Sequence, residues 1–317
     1  MIATQELTPT QRCHVLALVQ EATEHDGVGP LDEEARLALS GDDPPDDVPD
    51  GARHLLVPPP QEDDPDGVAV GYVSLLPDGT VQGTVRPDRR GHGVGRALLE
   101  AVLDARPDAG IWAHGGLPTS LSFLRGHGLV PVRELLTLSR TLEPGAVPPP
   151  QRPTGIETAR FDPSRDVDGW LRVNAAAFAD HPEQGRWSAQ DLRRRMEEPW
   201  FDAADLHVAR EDGELVGFVW IKRERQDGDQ GTPEPAEVYV VGTDPAHAGR
   251  GIARTLMGVA LHELAADGVD EVELYVEADN TAARHLYESL GFSTSGCDVQ
   301  FRVAHTPDGP ATLPEED

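Results

Sequence analysis

Hydrophobic and polar positions follow two different periods along the second half of the chain. Between Arg250 and Asp267, Leu256, Ala260, Leu261 and Leu264 fall on one helical face, and Gly268 stands where such a helix would stop. Leu206-His-Val-Ala-Arg and Leu215-Val-Gly-Phe-Val-Trp-Ile221 are short apolar runs around Glu211-Asp-Gly-Glu, the pattern of a hairpin. Glu237 to Gly242 and Val272 to Val276 predict further strands. Helices are expected from Trp170 to Ala179, from a Ser188 cap to Glu198, and from Thr281 to Leu290, opened by Asn280 and closed by Gly291. The order is helices, hairpin, strand, loop, helix, strand, helix. It predicts an α/β fold of the α+β type, a mixed sheet flanked by helices.

The first half carries the same pattern. Val85-Arg-Pro-Asp-Arg-Arg-Gly-His-Gly-Val-Gly-Arg-Ala-Leu98 aligns with Thr243-Asp-Pro-Ala-His-Ala-Gly-Arg-Gly-Ile-Ala-Arg-Thr-Leu256 when Pro87 is set against Pro245. Phe123-Leu-Arg-Gly-His-Gly-Leu129 then follows in the order of Leu286-Tyr-Glu-Ser-Leu-Gly-Phe292. Two matches in one order point to a tandem duplication. The stretch from Thr141 to Gly155 is proline-rich and aperiodic, as in a semi-rigid linker. Two domains are therefore expected, 1–143 and 156–317, joined by 144–155. Gly41 to Gly51 and Val57 to Gly67, both acidic and proline-rich, read as surface loops of the first domain.

Composition narrows the choice of partners. The 317 residues hold 56 acidic against 27 basic side chains, a net charge of −29, which repels nucleic acid and anionic membranes. Acidic solubility accounts for such a charge without any partner. Cys13 and Cys297 form neither a metal-spaced pair nor a disulfide framework, and the 12 histidines are scattered, so no metal is expected. The apolar run from His14 to Val19 is too short to span a bilayer. A cytoplasmic monomer acting on small molecules is the expectation.

The candidate chemistry begins where the strand ends at Gly242. A glycine-rich turn entering a helix offers bare N–H groups and the positive end of the helix dipole, which together suit a pyrophosphate. Arg90-Gly-His-Gly-Val-Gly95 and Ala248-Gly-Arg-Gly-Ile-Ala253 are two such turns. Here the chain resembles the GNAT acetyltransferase family, whose loop signature is Gln/Arg-x-x-Gly-x-Gly/Ala. The second turn departs from that signature only in having Ala248 at its first position. Asn280-Thr-Ala-Ala-Arg-His-Leu-Tyr-Glu-Ser-Leu-Gly-Phe292 is similar to the family's other mark, Asn-x-x-Ala-x-x-Leu-Tyr-x-x-x-Gly-Phe.

The resemblance implies acetyl-CoA as co-substrate and assigns its contacts. In the second copy these are the strand end Val241, Gly242 and Thr243, the turn Ala248, Gly249, Arg250, Gly251, Ile252, Ala253 and Arg254, and the helix start Asn280, Thr281, Ala282, Ala283, Arg284 and His285. In the first copy they are Gly83, Thr84 and Val85, then Gly91, His92, Gly93, Val94, Gly95 and Arg96. Glu237 takes the place of the general base and Tyr287 that of the acid protonating the departing thiolate. A solvated glutamate at the strand entry and a packing aromatic are the alternatives. The tandem length resembles more narrowly the branch that acetylates the cysteinyl amine of a cysteine–glucosamine–inositol conjugate, yielding a low-molecular-weight thiol. That branch implies acceptor contacts from Glu33, Glu183, Lys222, Glu237 and Tyr275, with His181 a second candidate base. In the first copy, Gly79, Leu117 and Leu124 align with Glu237, Asn280 and Tyr287, so that copy is expected to be non-catalytic. Another small amine as acceptor, or a non-catalytic CoA-binding sensor, remains open at this point.

Overall fold

The computed structural model describes residues 1–40, 52–60, 67–143, 145, 147–179, 184–223 and 236–304. The expected loop at 41–51, residues 61–66 of the one expected at 57–67, and the candidates His181 and Glu183 lie outside the described residues. The chain divides into two compact units: Met1–Leu135 together with the described residues from Gly296 on, and Leu136–Ser295.

The first unit runs β1 (Ile2–Thr4), α1 (Pro9–Asp26), α2 (Glu33–Ser40), β2 (Arg53–Val57), β3 (Gly71–Leu75), β4 (Thr80–Val85), α3 (Val94–Ala105), β5 (Gly110–Ala113), α4 (Pro118–Gly126) and the start of β6 (Leu129–Thr141). Thr8 starts α1 by a reciprocal cap: its Oγ1 accepts from the Gln11 amide at 3.2 Å, and the Gln11 side chain accepts from the Thr8 amide at 2.9 Å. Strands β1 to β4 form an antiparallel meander, and α3 carries the chain across to β5, parallel to β4. Leu98, Leu99 and Val102 of α3 pack on Val73, Val81 and Ile111, while Val15 and Leu18 of α1 pack on Leu56 and Tyr72 of the other face.

The second unit repeats this plan with β7 (Ile156–Arg160), α5 (Val167–Ala177), α6 (Ala189–Met196), β8 (Leu206–Glu211), β9 (Glu214–Lys222), β10 (Ala236–Thr243), α7 (Ile252–Ala266), β11 (Glu271–Glu277), α8 (Thr281–Ser289) and the start of β12 (Ser293–Val303). The β8–β9 hairpin forms as its turn residues predict, with Asp212 and Gly213 at positive φ. Ser188 caps α6, its hydroxyl accepting from the Asp191 amide. On α7, Leu256, Ala260, Leu261 and Leu264 are buried against the sheet. The opposite sheet face packs an aromatic cluster of Trp170, Phe218 and Trp220.

Both units end differently from the sequence halves. Residues of β12 pair antiparallel with β5 of the first unit, Val299↔Ala113 and Phe301↔Ile111, and Phe301 is fully buried in that core. The end of β6 goes the other way: Leu136 and Leu138 join the core of the second unit. The domain limits 1–143 and 156–317 therefore differ from the compact units, because each sheet takes a strand whose sequence lies in the other half. The expected linker lies against the second unit. Leu142 and Val147 are buried in the second unit, and the Val147 and Gln151 carbonyls accept from His262 at 2.7 Å and Thr255 at 3.1 Å on α7. No described helix is long and apolar enough to cross a membrane.

Candidate active site

In the second unit β10 and β11 run parallel only from Ala236↔Val272 to Val238↔Leu274, after which β10 stays paired with β9 as far as Thr243. Two parallel strands that part in this way leave an opening edged by the backbone of Val241, Gly242 and Thr243. The β9–β10 register shifts between Val238 and Val240, a bulge that sets Tyr239 as the extra residue. The Thr243 hydroxyl is buried, with no hydrogen-bond partner among the described residues. Gly242 is required by close approach: a Cβ there would stand 2.7 Å from the Phe218 ring.

Beyond the strand the chain makes the glycine turn. Gly249 and Gly251 have φ of 74° and 79°, the left-handed region that a side chain resists. Gly251 is the N-cap of α7 and, having no side chain, makes no cap hydrogen bond to the first amides of that helix. Ile252 anchors the turn in the core, Ala253 is half-buried, and Ala248, Gly249, Arg250 and Arg254 are exposed. Arg250 forms a bidentate pair with Glu211 on the hairpin, at 2.7 and 2.5 Å. This holds the Glu211 carboxyl below its ordinary range. Arg254 donates to the Ser289 hydroxyl at 2.7 Å, tying α7 to α8.

Asn280 caps α8, its Oδ1 accepting from the Ala283 amide at 3.1 Å. Arg284 donates to the Ala278 carbonyl at 2.9 Å, and Thr281 to that of Asp279. Ala283 packs on the core, whereas Ala282 and His285 are exposed. Tyr287 is 7% exposed and stands edge-on to Phe292. Burial pushes its phenol up to about 12, so it keeps its proton throughout the neutral range.

On β10, Glu237 has Lys222 of β9 and Glu273 of β11 as register partners. The Lys222 ammonium lies 5.4 Å from the centre of the Trp200 ring, and the Tyr275 hydroxyl donates to Glu273 at 3.3 Å. Of the five acceptor candidates, the structure thus brings together Lys222, Glu237 and Tyr275. Glu33 stands in the first turn of α2, in the other unit. Glu273 escaped the sequence reading; the alternation of Glu271, Glu273, Tyr275 and Glu277 on one face of a strand was the signal that could have found it.

The first unit repeats the opening, since β4 and β5 pair only at Thr80↔Gly110 and Val81↔Ile111. A cavity of about 580 Å³ runs from the glycine turn into this gap. Gly83, Thr84, Val85, Gly91, Gly93, Gly95 and Arg96 line it; Val94 packs on the core and the His92 ring bonds the Arg90 carbonyl at 2.9 Å. Leu117 and Leu124 also line it, at the positions matching Asn280 and Tyr287. Arg90 is held by Asp26 through two bonds of 2.8 and 2.6 Å. At the end of β5, His114 bonds Asp298 at 2.9 Å and Gln82 at 3.1 Å, and Gln82 in turn bonds Asp32. The β3–β4 register is unbroken, so the bulge in β10 shifts the alignment by one residue. Thr80, not Gly79, is the counterpart of Glu237; neither can act as a base.

Two parting parallel strands, an uncapped glycine turn and a helix crossing behind them define an acetyltransferase of the GNAT type. The Acetyltransferase (GNAT) family model matches residues 170–292. Among solved structures, a GCN5-related N-acetyltransferase from Sphaerobacter thermophilus superposes with a TM-score of 0.66 at 23% identity, covering 95% of this chain and 94% of that one. A tandem GNAT protein from the clavulanic acid biosynthesis pathway gives 0.55 at 20% identity, over 74% and 79% of the two chains. Curated relatives are nearer. A mycothiol acetyltransferase of Brachybacterium faecium is 47% identical over 96% of this chain and 99% of its own. Another, of Thermomonospora curvata, is 42% identical over 95% and 97%. The chain belongs to the mycothiol acetyltransferase family.

Proposed function

We propose that this chain transfers acetyl from acetyl-CoA to the cysteinyl amine of a cysteine–glucosamine–inositol conjugate, forming mycothiol, and that the second unit does the chemistry. Near-full-length identity of 47% to a mycothiol acetyltransferase is the observation that carries the reading. The amides at the start of α7 would hold the diphosphate, and the unpartnered Thr243 hydroxyl and the parted edge of β10 fit a ligand lying along the strand. Backbone N–H groups near Val241 would receive the thioester oxygen as negative charge develops there.

The proton steps fall to two side chains. An α-amino group titrates at about 7.7, so removing its proton is inexpensive near neutrality. Glu237 takes that proton, directly or through a water, and frees the lone pair that attacks the carbonyl carbon. As the C–S bond breaks, Tyr287 delivers its proton to the leaving sulfur and regains one from the attacking nitrogen, which sheds it on becoming an amide. Its raised proton affinity keeps it in the acid form for that step. The first unit retains the glycine turn and cavity but has Thr80, Leu117 and Leu124 where Glu237, Asn280 and Tyr287 stand, so its role is binding without turnover. Both described cysteines are free thiols, as a reducing compartment would keep them.

The test is thiol release from acetyl-CoA against a panel of amines. Turnover confined to the cysteinyl-glucosaminyl-inositol is the expected result; equal turnover with aminoglycosides or polyamines would assign another acceptor. Absence of release with every amine would leave a coenzyme-binding sensor.

A further inference from the structure

One sheet face of the second unit carries more charge than the reaction so far uses. Val238 of β10 and Val272, Leu274 and Val276 of β11 all enter the core beneath α7. Side chains alternate along a strand, so Glu237 and Glu273 point to the opposite face. They are register partners in neighbouring parallel strands, which lie about 4.8 Å apart. Both are half-buried.

We propose that Glu273 is a positioning residue for acetyl transfer: as the carboxylate abreast of Glu237 it holds the proton affinity of that base high. The proposal rests on reading Glu237 as the base. Two carboxylates side by side resist double ionisation, so each makes the other's proton harder to remove. Lys222, the partner on β9, acts in the opposite sense, and its ammonium is drawn toward the Trp200 ring. Arg195 of α6 lies 5.9 Å from the centre of the Tyr239 ring, and Arg172 of α5 turns to Asp244 and Glu214. Glu271 lies two residues before Glu273 on β11 and Glu277 four residues after it, and α7 covers the other face. Tyr275 donates its hydroxyl to Glu273, which fixes the carboxylate beside the base and ties it to an acceptor candidate.

Removing the negative neighbour takes one repulsion away from Glu237, and its proton becomes easier to lose. In the full-length chain with acetyl-CoA and the cysteinyl-glucosaminyl-inositol, Glu273→Gln is expected to move the acid limb of kcat lower by about one pH unit. The plateau rate should fall less than about tenfold, and Glu273→Asp should restore the limb. Melting temperature and acetyl-CoA titration, both unchanged, would establish that the variant is folded. An acid limb that stays in place in that folded variant overturns the proposal, as does an equal loss of rate at every pH. Full turnover in Glu237→Gln is a separate outcome, which removes the base assignment itself.

Discussion

Tyr287 joins two properties that usually conflict: it packs a core and it serves as the acid candidate. Because burial raises its phenol to about 12, it remains protonated well beyond neutral pH. Tyr287→Phe keeps the packing and loses the proton, so kcat should fall about 10²- to 10⁴-fold with the acetyl-CoA Kd unchanged, as read by single-turnover kinetics and calorimetric titration. His207 makes a different prediction. Desolvation, then Arg160 and Arg223, lowers its pKa from 6.5 to about 3, despite Glu263 at 3.6 Å. A histidine depressed in the folded state contributes stability that is whole above pH 6.5 and is lost as pH falls toward 3. Between pH 6.5 and 4.5 this amounts to roughly 2 kcal/mol, seen as a falling urea midpoint that His207→Asn should flatten. At this scale the sequence was most legible where a motif names a residue, as with Asn280 and Tyr287. It was least legible for Glu273, whose meaning comes only from the strand beside it.

Among the elements, α7 and its glycine turn were readable in detail, because a 3.6-residue apolar period and two consecutive helix signals agree. Gly251→Ala forces a side chain into the left-handed region at a cost of about 1–2 kcal/mol. The expected consequence is a raised acetyl-CoA Kd with only a small drop in melting temperature. Leu261→Ala, on the buried face of the same helix, should do the reverse: about 2–5 kcal/mol of stability lost in urea titration and an unchanged Kd. The bulge in β10 was not readable. An extra residue in a strand leaves its apolar alternation looking ordinary, and only the pairing with β9 reveals that Thr80 answers Glu237. The path of the proline-rich stretch was not readable for a related reason: such chain looks alike whether it hangs free or lies along a helix.

Over the whole molecule, duplication was evident from two motifs in one order, but the traffic of strands between the halves was not. Periodicity finds a strand; it says nothing about which sheet receives it. The first unit keeps a cavity and a glycine turn without the groups for turnover, so acetyl-CoA titration of the full chain should reveal two sites. Gly93→Val, at a φ of 85°, should abolish one of them and leave kcat intact. Loss of all binding in that variant would mean that the cavity does not act independently.

The placement of β12 also bears on how the chain is made. The first unit lacks the neighbour of β5 until residues near Val299 have left the ribosome. At about 5–20 residues per second, synthesis of the intervening stretch takes roughly ten to forty seconds. During that interval the nascent half exposes an unpaired sheet edge with a hollow awaiting Phe301, a surface open to chaperones and prone to self-association.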